Sequence, residues 1–373
     1  MERILIVNQN SGYLTIDVAN AFAASYDEVV VMFGYNRVTQ RKFSPKIKIQ
    51  KTIKYDRSSA IKRIVTWSLS TVHLFILLSI KYRKYKVLYY TNPPMSYFCA
   101  RLLNNKFSIV IFDTFPDALK LIGVSDSNFI YKFWVRINRH VFKKAERIIT
   151  LTEGMKKQLS KYVDSEKIKV ISIWPASDEF KPLPKTDNPF LKAHCMCNKF
   201  IVMYSGNMGT GHNLEVLIEV ADQLREYHDI HFLLIGEGAK KKKLKNLADN
   251  LCLNNLTFFP YQSAELLPFS LAAADVSVVA QEPNAAHLSI PSKTFNYMAV
   301  GSPLLGIGGK ESELQHMIEK HNNGEYFTED NLSEIKKYII NIYKNKTLKM
   351  KYSENSRMAI KIYSYSNAFD YIF

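Results

Sequence analysis

The residues able to do chemistry gather in three stretches of the second half, each where an apolar run meets glycine and then a helical pattern. The first is Phe200-Ile-Val-Met-Tyr204 followed by Ser205-Gly-Asn-Met-Gly-Thr-Gly-His-Asn213. Gly206, Gly209 and Gly211 let the backbone pass close to a ligand, and the helix from Leu214 offers free N–H groups and partial positive charge, which suits a phosphate. Asn207 and His212 add polar side chains to the turn. A plain tight turn explains these glycines about as well, and neither the dinucleotide fingerprint nor a P-loop is present. The second stretch is Leu233-Leu-Ile-Gly-Glu-Gly-Ala-Lys-Lys-Lys-Lys-Leu244, in which Gly236, Glu237 and Gly238 precede Lys240–Lys243. Four like charges are unfavourable at the positive end of a helix, and residues about 100° apart cannot all face one site, so at least two of them are solvated. Lys240 is the phosphate-binding candidate among them, and Tyr261 follows the next strand.

The third stretch is Ile290-Pro-Ser-Lys-Thr-Phe-Asn-Tyr-Met-Ala-Val-Gly-Ser-Pro303. Ser292 is placed to cap a helix, Lys293 falls in its first turn within reach of a phosphate, Gly301 ends it, and Pro303 opens the next strand. A well-capped short helix explains the serine and the glycine, but not a lysine at the positive end. In the first half, the strand Phe107–Phe112 ends in Asp113-Thr-Phe-Pro-Asp117, where carboxylates face a ligand-binding edge. Asp113 can orient or deprotonate a hydroxyl or bind a donor sugar; equally, it can cap the following turn. Asn8 to Gly12 form the loop after the first strand.

The elements that must hold these residues read as strands alternating with helices. Ile4–Val7, Glu28–Phe33, Ile47–Lys51, Val87–Tyr90, Phe107–Phe112, Arg147–Thr150 and Ile168–Ile173 form one series. Phe200–Tyr204, Ile230–Ile235, Leu256–Pro260, Val276–Ala280 and Pro303–Ile307 form another. Short apolar runs between helices imply parallel sheets covered on both faces. Phe180–Asp187, rich in proline and polar residues, reads as a linker. The pattern therefore predicts an α/β chain of two doubly wound, Rossmann-like domains, residues 1–185 and 186–352, facing across a cleft.

At 373 residues and 47% hydrophobic the chain has ample core for two domains. Its net charge of +16 favours anionic partners. Cys99, Cys195, Cys197 and Cys252 fit no disulfide scaffold or zinc motif and read as reduced thiols. No secretory signal is visible ahead of the first strand, so the expectation is a cytoplasmic protein. Nucleic-acid binding is not expected: the charge fits, but no recognition motif does. Ile64–Ile80 carries no charged residue and is flanked by Lys62 and Arg63, then Lys81, Arg83, Lys84 and Lys86. It reads either as a buried core helix or as an apolar helix on an anionic membrane; a span is disfavoured because a strand follows at once.

The run from Tyr204-Ser-Gly-Asn-Met-Gly through Ile235-Gly-Glu-Gly to Pro291-Ser-Lys-Thr-Phe-Asn-Tyr-Met-Ala-Val-Gly-Ser-Pro resembles the second domain of family-4 glycosyltransferases, which have the GT-B fold. The likeness is greatest to the branch that builds bacterial surface polysaccharides on lipid carriers. Ile148-Ile-Thr-Leu-Thr-Glu-Gly-Met155 and Ser177-Asp-Glu-Phe-Lys-Pro182 resemble the family's signatures at the end of the first domain. The resemblance implies that residues 353–373 cross back to the first domain as a helix. It also implies retaining transfer of a sugar from a nucleotide diphosphate, UDP by expectation, to a lipid-linked or polysaccharide acceptor. The protein would act at the inner face of the membrane, without a cofactor.

Charge growing on the leaving diphosphate needs pre-placed cations or N–H dipoles. No two aspartates stand one residue apart to hold a metal, so that task passes to Lys293, the Gly206–Gly211 turn and Lys240. Many relatives carry two glutamates where this chain has Leu288 and Asn296. Asn296 can still meet a ribose hydroxyl, and Glu282 and His287 stand near the first position. Ser292, Gly209, Gly236, Glu237 and Tyr261 complete the donor-side set, and Gly12, Asp117, Glu282 and His287 the acceptor-side set. Two other readings share the fold: a nucleotide-sugar epimerase and a non-catalytic partner.

Overall fold

The structure is a computed structural model and describes residues 1–36, 41–56, 58–283 and 290–373. Its chain divides into two compact units, Met1–Ile173 with Tyr365–Phe373, and Trp174–Ser364.

The strands of the first unit are β1 (Arg3–Val7), β2 (Asn10–Ser11), β3 (Glu28–Phe33), β4 (Tyr35–Asn36), β5 (Lys48–Lys51), β6 (Lys86–Tyr90), β7 (Phe107–Ile111), β8 (Arg147–Thr150) and β9 (Ile168–Val170). Its helices are α1 (Tyr13–Ala23), α2 (Ala60–Ile80), α3 (Phe129–Lys144) and α4 (Glu153–Leu159). Seven strands form one sheet in the order β5-β3-β1-β6-β7-β8-β9, all pairs parallel. Ile4, Leu5 and Ile6 are fully buried, as an unbroken apolar run must be when both faces of its sheet are covered.

The second unit has β10 (Phe200–Ser205), β11 (Ile230–Ile235), β12 (Leu256–Phe259), β13 (Val276–Ala280), β14 (Leu304–Ile307) and β15 (Gly324–Phe327). These strands pair in the order β12-β11-β10-β13-β14-β15, again parallel throughout. Its helices are α5 (Pro189–Ala193), α6 (Glu215–Gln223), α7 (Lys241–Asn250), α8 (Leu267–Leu271), α9 (Lys293–Ala299), α10 (Glu313–His321), α11 (Leu332–Lys344) and α12 (Lys346–Ala359). Both sheets are doubly wound, with strand order reversing at β1 and at β10, and ligands of such sheets bind beyond the strand ends there.

Two boundaries differ from the pattern-based expectation. The units divide at Ile173, before the proline-rich stretch rather than within it. Trp174 and Phe180 are buried, Lys185 pairs with Asp275 and the Lys199 carbonyl, and Asn188 caps α5 through the Phe190 and Leu191 N–H groups. The stretch breaks regular structure, but its polar groups are spent on the second unit. Residues 353–364 likewise stay there: α12 runs through them to Ala359, with Ser356 Oγ donating to the Ser302 carbonyl at 3.0 Å. Only Tyr365–Phe373 rejoins the first unit, as a 3-10 turn rather than an α-helix, and Lys86 Nζ donates to the Phe373 carbonyl at 3.2 Å. A further strand, β15, went unseen because Gly324-Glu-Tyr-Phe327 is too polar to stand out as an apolar run.

The core-helix reading of Ile64–Ile80 is overturned. Among the residues of α2 only Ser70, Leu74 and Leu78 are buried. Ile61, Val65, Leu69, Val72, Ile76 and Ile80 recur every three or four residues and are all exposed, so they form one apolar stripe facing water. The helix starts where the Ser59 hydroxyl accepts from the Lys62 N–H at 3.2 Å. By length and composition α2 could cross a membrane. It nonetheless leads into β6, which pairs with β1 inside the sheet.

Candidate functional site

At the switch point of the second unit, the loops after β10 and β11 are zipped together. Gly206 N–H donates to the Ile235 carbonyl at 2.8 Å, Met208 N–H to Glu237 at 2.8 Å, and Lys240 N–H to Met208 at 2.9 Å. The approach is so close that a Cβ on Gly236 would stand 1.9 Å from the Gly206 carbonyl oxygen, and Gly236 has φ +144°. A side chain is excluded by space and by backbone conformation together. Two tyrosines hold the end of β10. Tyr204 Oη donates to the Asn207 carbonyl at 2.6 Å, and Tyr297 Oη accepts from Ser205 N–H at 2.8 Å while donating to its carbonyl at 3.0 Å.

Lys293 opens α9 and sends its amine into this frame. Nζ lies 3.7 Å from the centre of the Tyr204 ring, and a Cβ on Gly206 would meet it at 2.6 Å. Among the described residues this Nζ has no hydrogen-bond partner and no access to solvent. Burial lowers its pKa to about 7. A buried amine held only by a ring face, beside a glycine backbone, is a cation prepared for an anion.

Ser292 does not cap α9: its backbone is helical, it is exposed, and its side chain makes no cap bond. It stands free at the helix start. Asn296 Oδ1 accepts the Ala176 N–H at 3.0 Å and so anchors the chain entering this unit. His212 donates Nδ1–H to the Ala280 carbonyl at 2.9 Å, the only role open to a ring nitrogen facing a carbonyl. Its pKa is lowered by burial, then by Lys293, leaving a neutral ring with Nε2 as acceptor. Asn207 is exposed, with its amide over Gly209.

Lys240 is differently employed. Its amine meets Glu282 at 2.9 Å, Glu215 at 3.2 Å and the His212 carbonyl at 3.0 Å. It ties together the loops after β10, β11 and β13, its charge already balanced, so it is not a free phosphate ligand. Glu282 is the other half of that clasp and belongs to the second unit. Glu237 pairs with Lys241 at 2.6 Å, and exposed Tyr261 donates to the Glu237 carbonyl at 3.5 Å. His287 and Leu288 lie outside the described residues. Sequence reading missed Tyr204, Tyr297 and Glu215. Tyr297 could have been found from its spacing, four residues after Lys293 and hence on the same helix face.

In the first unit, Asp113 follows β7 and is exposed, and among the described residues nothing bonds its carboxylate. The capping role is overturned, because the 3-10 turn Asp117–Ile122 begins at Pro116 with no side-chain cap. Although part of the side chain still meets water, crowding by the surrounding protein raises the Asp113 pKa above the ordinary carboxylate value. Asp117 is a pin instead. It accepts from Lys161 at 2.6 Å, Tyr131 at 2.8 Å and Tyr162 at 3.1 Å. Burial opposes its ionisation, but Lys161 and Tyr131 hold its pKa low. Gly12 precedes α1 with open space where a side chain would stand.

Residues 196–359, which carry all of this second-unit frame, match the family described as Glycosyl transferases group 1. The chain carries a group 1 glycosyltransferase domain. The glycosyltransferase is 27% identical to the probable glycosyltransferase WbjE of Pseudomonas aeruginosa over 343 residues, 87% of this chain and 85% of that protein. It is 30% identical to the putative colanic acid biosynthesis glycosyl transferase WcaI of Escherichia coli K12 over 204 residues, 54% of this chain and 50% of that one. Anabaena HepE, solved in complex with UDP, superposes with a TM-score of 0.74 at 14% identity, covering 99% of this chain and 98% of HepE. The fold of the glycosyltransferase is therefore of the GT-B type.

Proposed function

We propose that the glycosyltransferase takes a hexose from UDP, with retention and without a metal, and adds it to a lipid-linked or polysaccharide acceptor during surface-glycan synthesis. The observation that carries the donor half is the unpartnered Lys293 amine against Tyr204 and Gly206. A diphosphate placed there would gain a cation, backbone N–H groups and the start of α9, the groups that stabilise a leaving phosphate. HepE, which binds UDP, supports that donor, and WcaI, named for colanic acid, supports the pathway class. No cofactor is required. Donor turnover should persist in excess chelator; loss of activity restored by a divalent cation would end the metal-independent reading.

The acceptor half rests on α2. Its exposed stripe, with Lys62, Lys81, Arg83 and Lys84 at its ends, suits the inner face of an anionic membrane, where the protein would sit peripherally. Sedimentation with phosphatidylglycerol vesicles should fall steeply between low and physiological salt, and Leu69→Ser/Val72→Ser should abolish it. A chain that ignores such vesicles at low salt does not dock this way.

A further inference from the structure

A second set of unpartnered polar atoms lies at the switch point of the first unit. Gln9 follows β1 and is fully buried. Its Nε2 donates to the carbonyls of Ile53 at 3.1 Å and Thr66 at 2.9 Å. These bonds fix the amide, because the reversed orientation would set Oε1 against two carbonyl oxygens. Oε1 therefore points elsewhere and has no donor. The Gln9 N–H donates to the Asn92 carbonyl at 2.6 Å, which brings the loop after β6 alongside, and Asn92 Oδ1 is also buried without a partner.

Thr66 belongs to α2, and beside it stand two donors in the same condition. Trp67 Nε1 and Arg63 Nε are both shut off from water and unbonded. Tyr55 stacks on the Trp67 ring at 5.8 Å, Phe115 meets its edge at 6.4 Å, and the Arg63 guanidinium lies 5.4 Å from its centre. Among the described residues no carboxylate pairs with Arg63. Phe115 stands two residues after Asp113, so this group adjoins the loop that carries the free carboxylate.

Two amide oxygens require hydroxyl donors, while an indole N–H and an uncompensated guanidinium require an anionic acceptor. A simple phosphate would leave the amides unmet, and a neutral sugar would leave the charge unmet. We propose that Gln9, Asn92, Arg63 and Trp67 form a binding site for a sugar phosphate, with its phosphate on Arg63 and Trp67 and its hydroxyls on the two amides. The proposal rests on the transferase reading and assigns the head group of the acceptor. The phosphate is either free or esterified to an apolar chain.

Tryptophan emission of the full chain, titrated with glucose, galactose and N-acetylglucosamine 1-phosphates, tests this. At least one should bind tenfold or more tightly than inorganic phosphate or its free sugar. Arg63→Ala should weaken it tenfold or more, Arg63→Lys less, and Trp67→Phe measurably, at unchanged melting temperature. A dodecyl ester that binds tighter than the free sugar phosphate assigns the lipid-borne source; equal affinities assign the free one. Wild-type binding by Arg63→Ala, displacement of the sugar phosphate by UDP, or no preference over inorganic phosphate overturns the site. UDP affinity, measured alongside, should not change in these variants; its absence in the wild type would count against the donor reading alone.

Discussion

Lys293→Ala should turn over its donor about 10²–10³-fold more slowly than the wild type, equivalent to roughly 3–4 kcal/mol of lost transition-state stabilisation. The size follows from the setting. Nζ is dehydrated, held over the Tyr204 ring and without a competing partner, so little of its charge is spent before an anion arrives. UDP affinity should fall as well, because the product carries the charge that the amine is placed to meet.

The pH dependence carries the same signature. The folded-state pKa of Lys293 is depressed to about 7, so above that pH the amine of the free protein is neutral and must take up a proton as the diphosphate binds. UDP affinity should therefore decline from pH 7 to pH 9 in the wild type and stay flat in Lys293→Ala. Stability runs the other way. Between the folded and unfolded pKa values the unfolded chain binds the extra proton, so the ligand-free protein gains stability as pH rises through this window. Lys293→Met should accordingly raise the melting temperature more at pH 6 than at pH 9 while abolishing turnover. A variant with near-normal turnover removes Lys293 from the mechanism.

Asp113→Asn should keep its melting temperature and its UDP affinity and lose on the order of 10²–10⁴-fold in turnover, the range for a group that moves a proton in the transition state. Asparagine keeps the shape but cannot accept a proton. Since nothing in the described structure depends on the carboxylate, stability is not expected to move. Its raised pKa also places the acid limb of the rate profile above that of an ordinary aspartate, with activity lost as pH falls through it. Normal turnover in this variant would make Asp113 a bystander. Asp117 would not inherit the role, since Lys161, Tyr131 and Tyr162 already occupy it.

Much of the architecture was legible because local patterns sufficed. Uninterrupted apolar runs such as Ile4–Val7 and Ile230–Ile235 have one stable use, a parallel strand buried on both faces, and glycine at a strand end followed by a helical pattern marks the turns that carry the site. What escaped were features set by partners distant in the chain. Lys185 and Asp275 form a bond across 90 positions that turns an apparent linker into part of a domain. Lys240 looked like Lys293, a cation after a glycine turn, yet Glu215 and Glu282 neutralise the first and nothing among the described residues neutralises the second.

The same division separates what the sequence alone determined about this glycosyltransferase from what the tertiary structure decided. Periodicity and turn chemistry act within a few residues, so they determined two doubly wound sheets, the glycine loops after β10 and β11, and a lysine at the start of α9. Burial and pairing depend on which elements meet. Tertiary structure therefore decided that the apolar face of α2 remains in water, that Asp117 is a pin while Asp113 stays free, and that polar atoms of Gln9, Asn92, Arg63 and Trp67 are buried without partners among the described residues. A side chain's type states what it can bond; only the packed fold settles whether that bond has already been made.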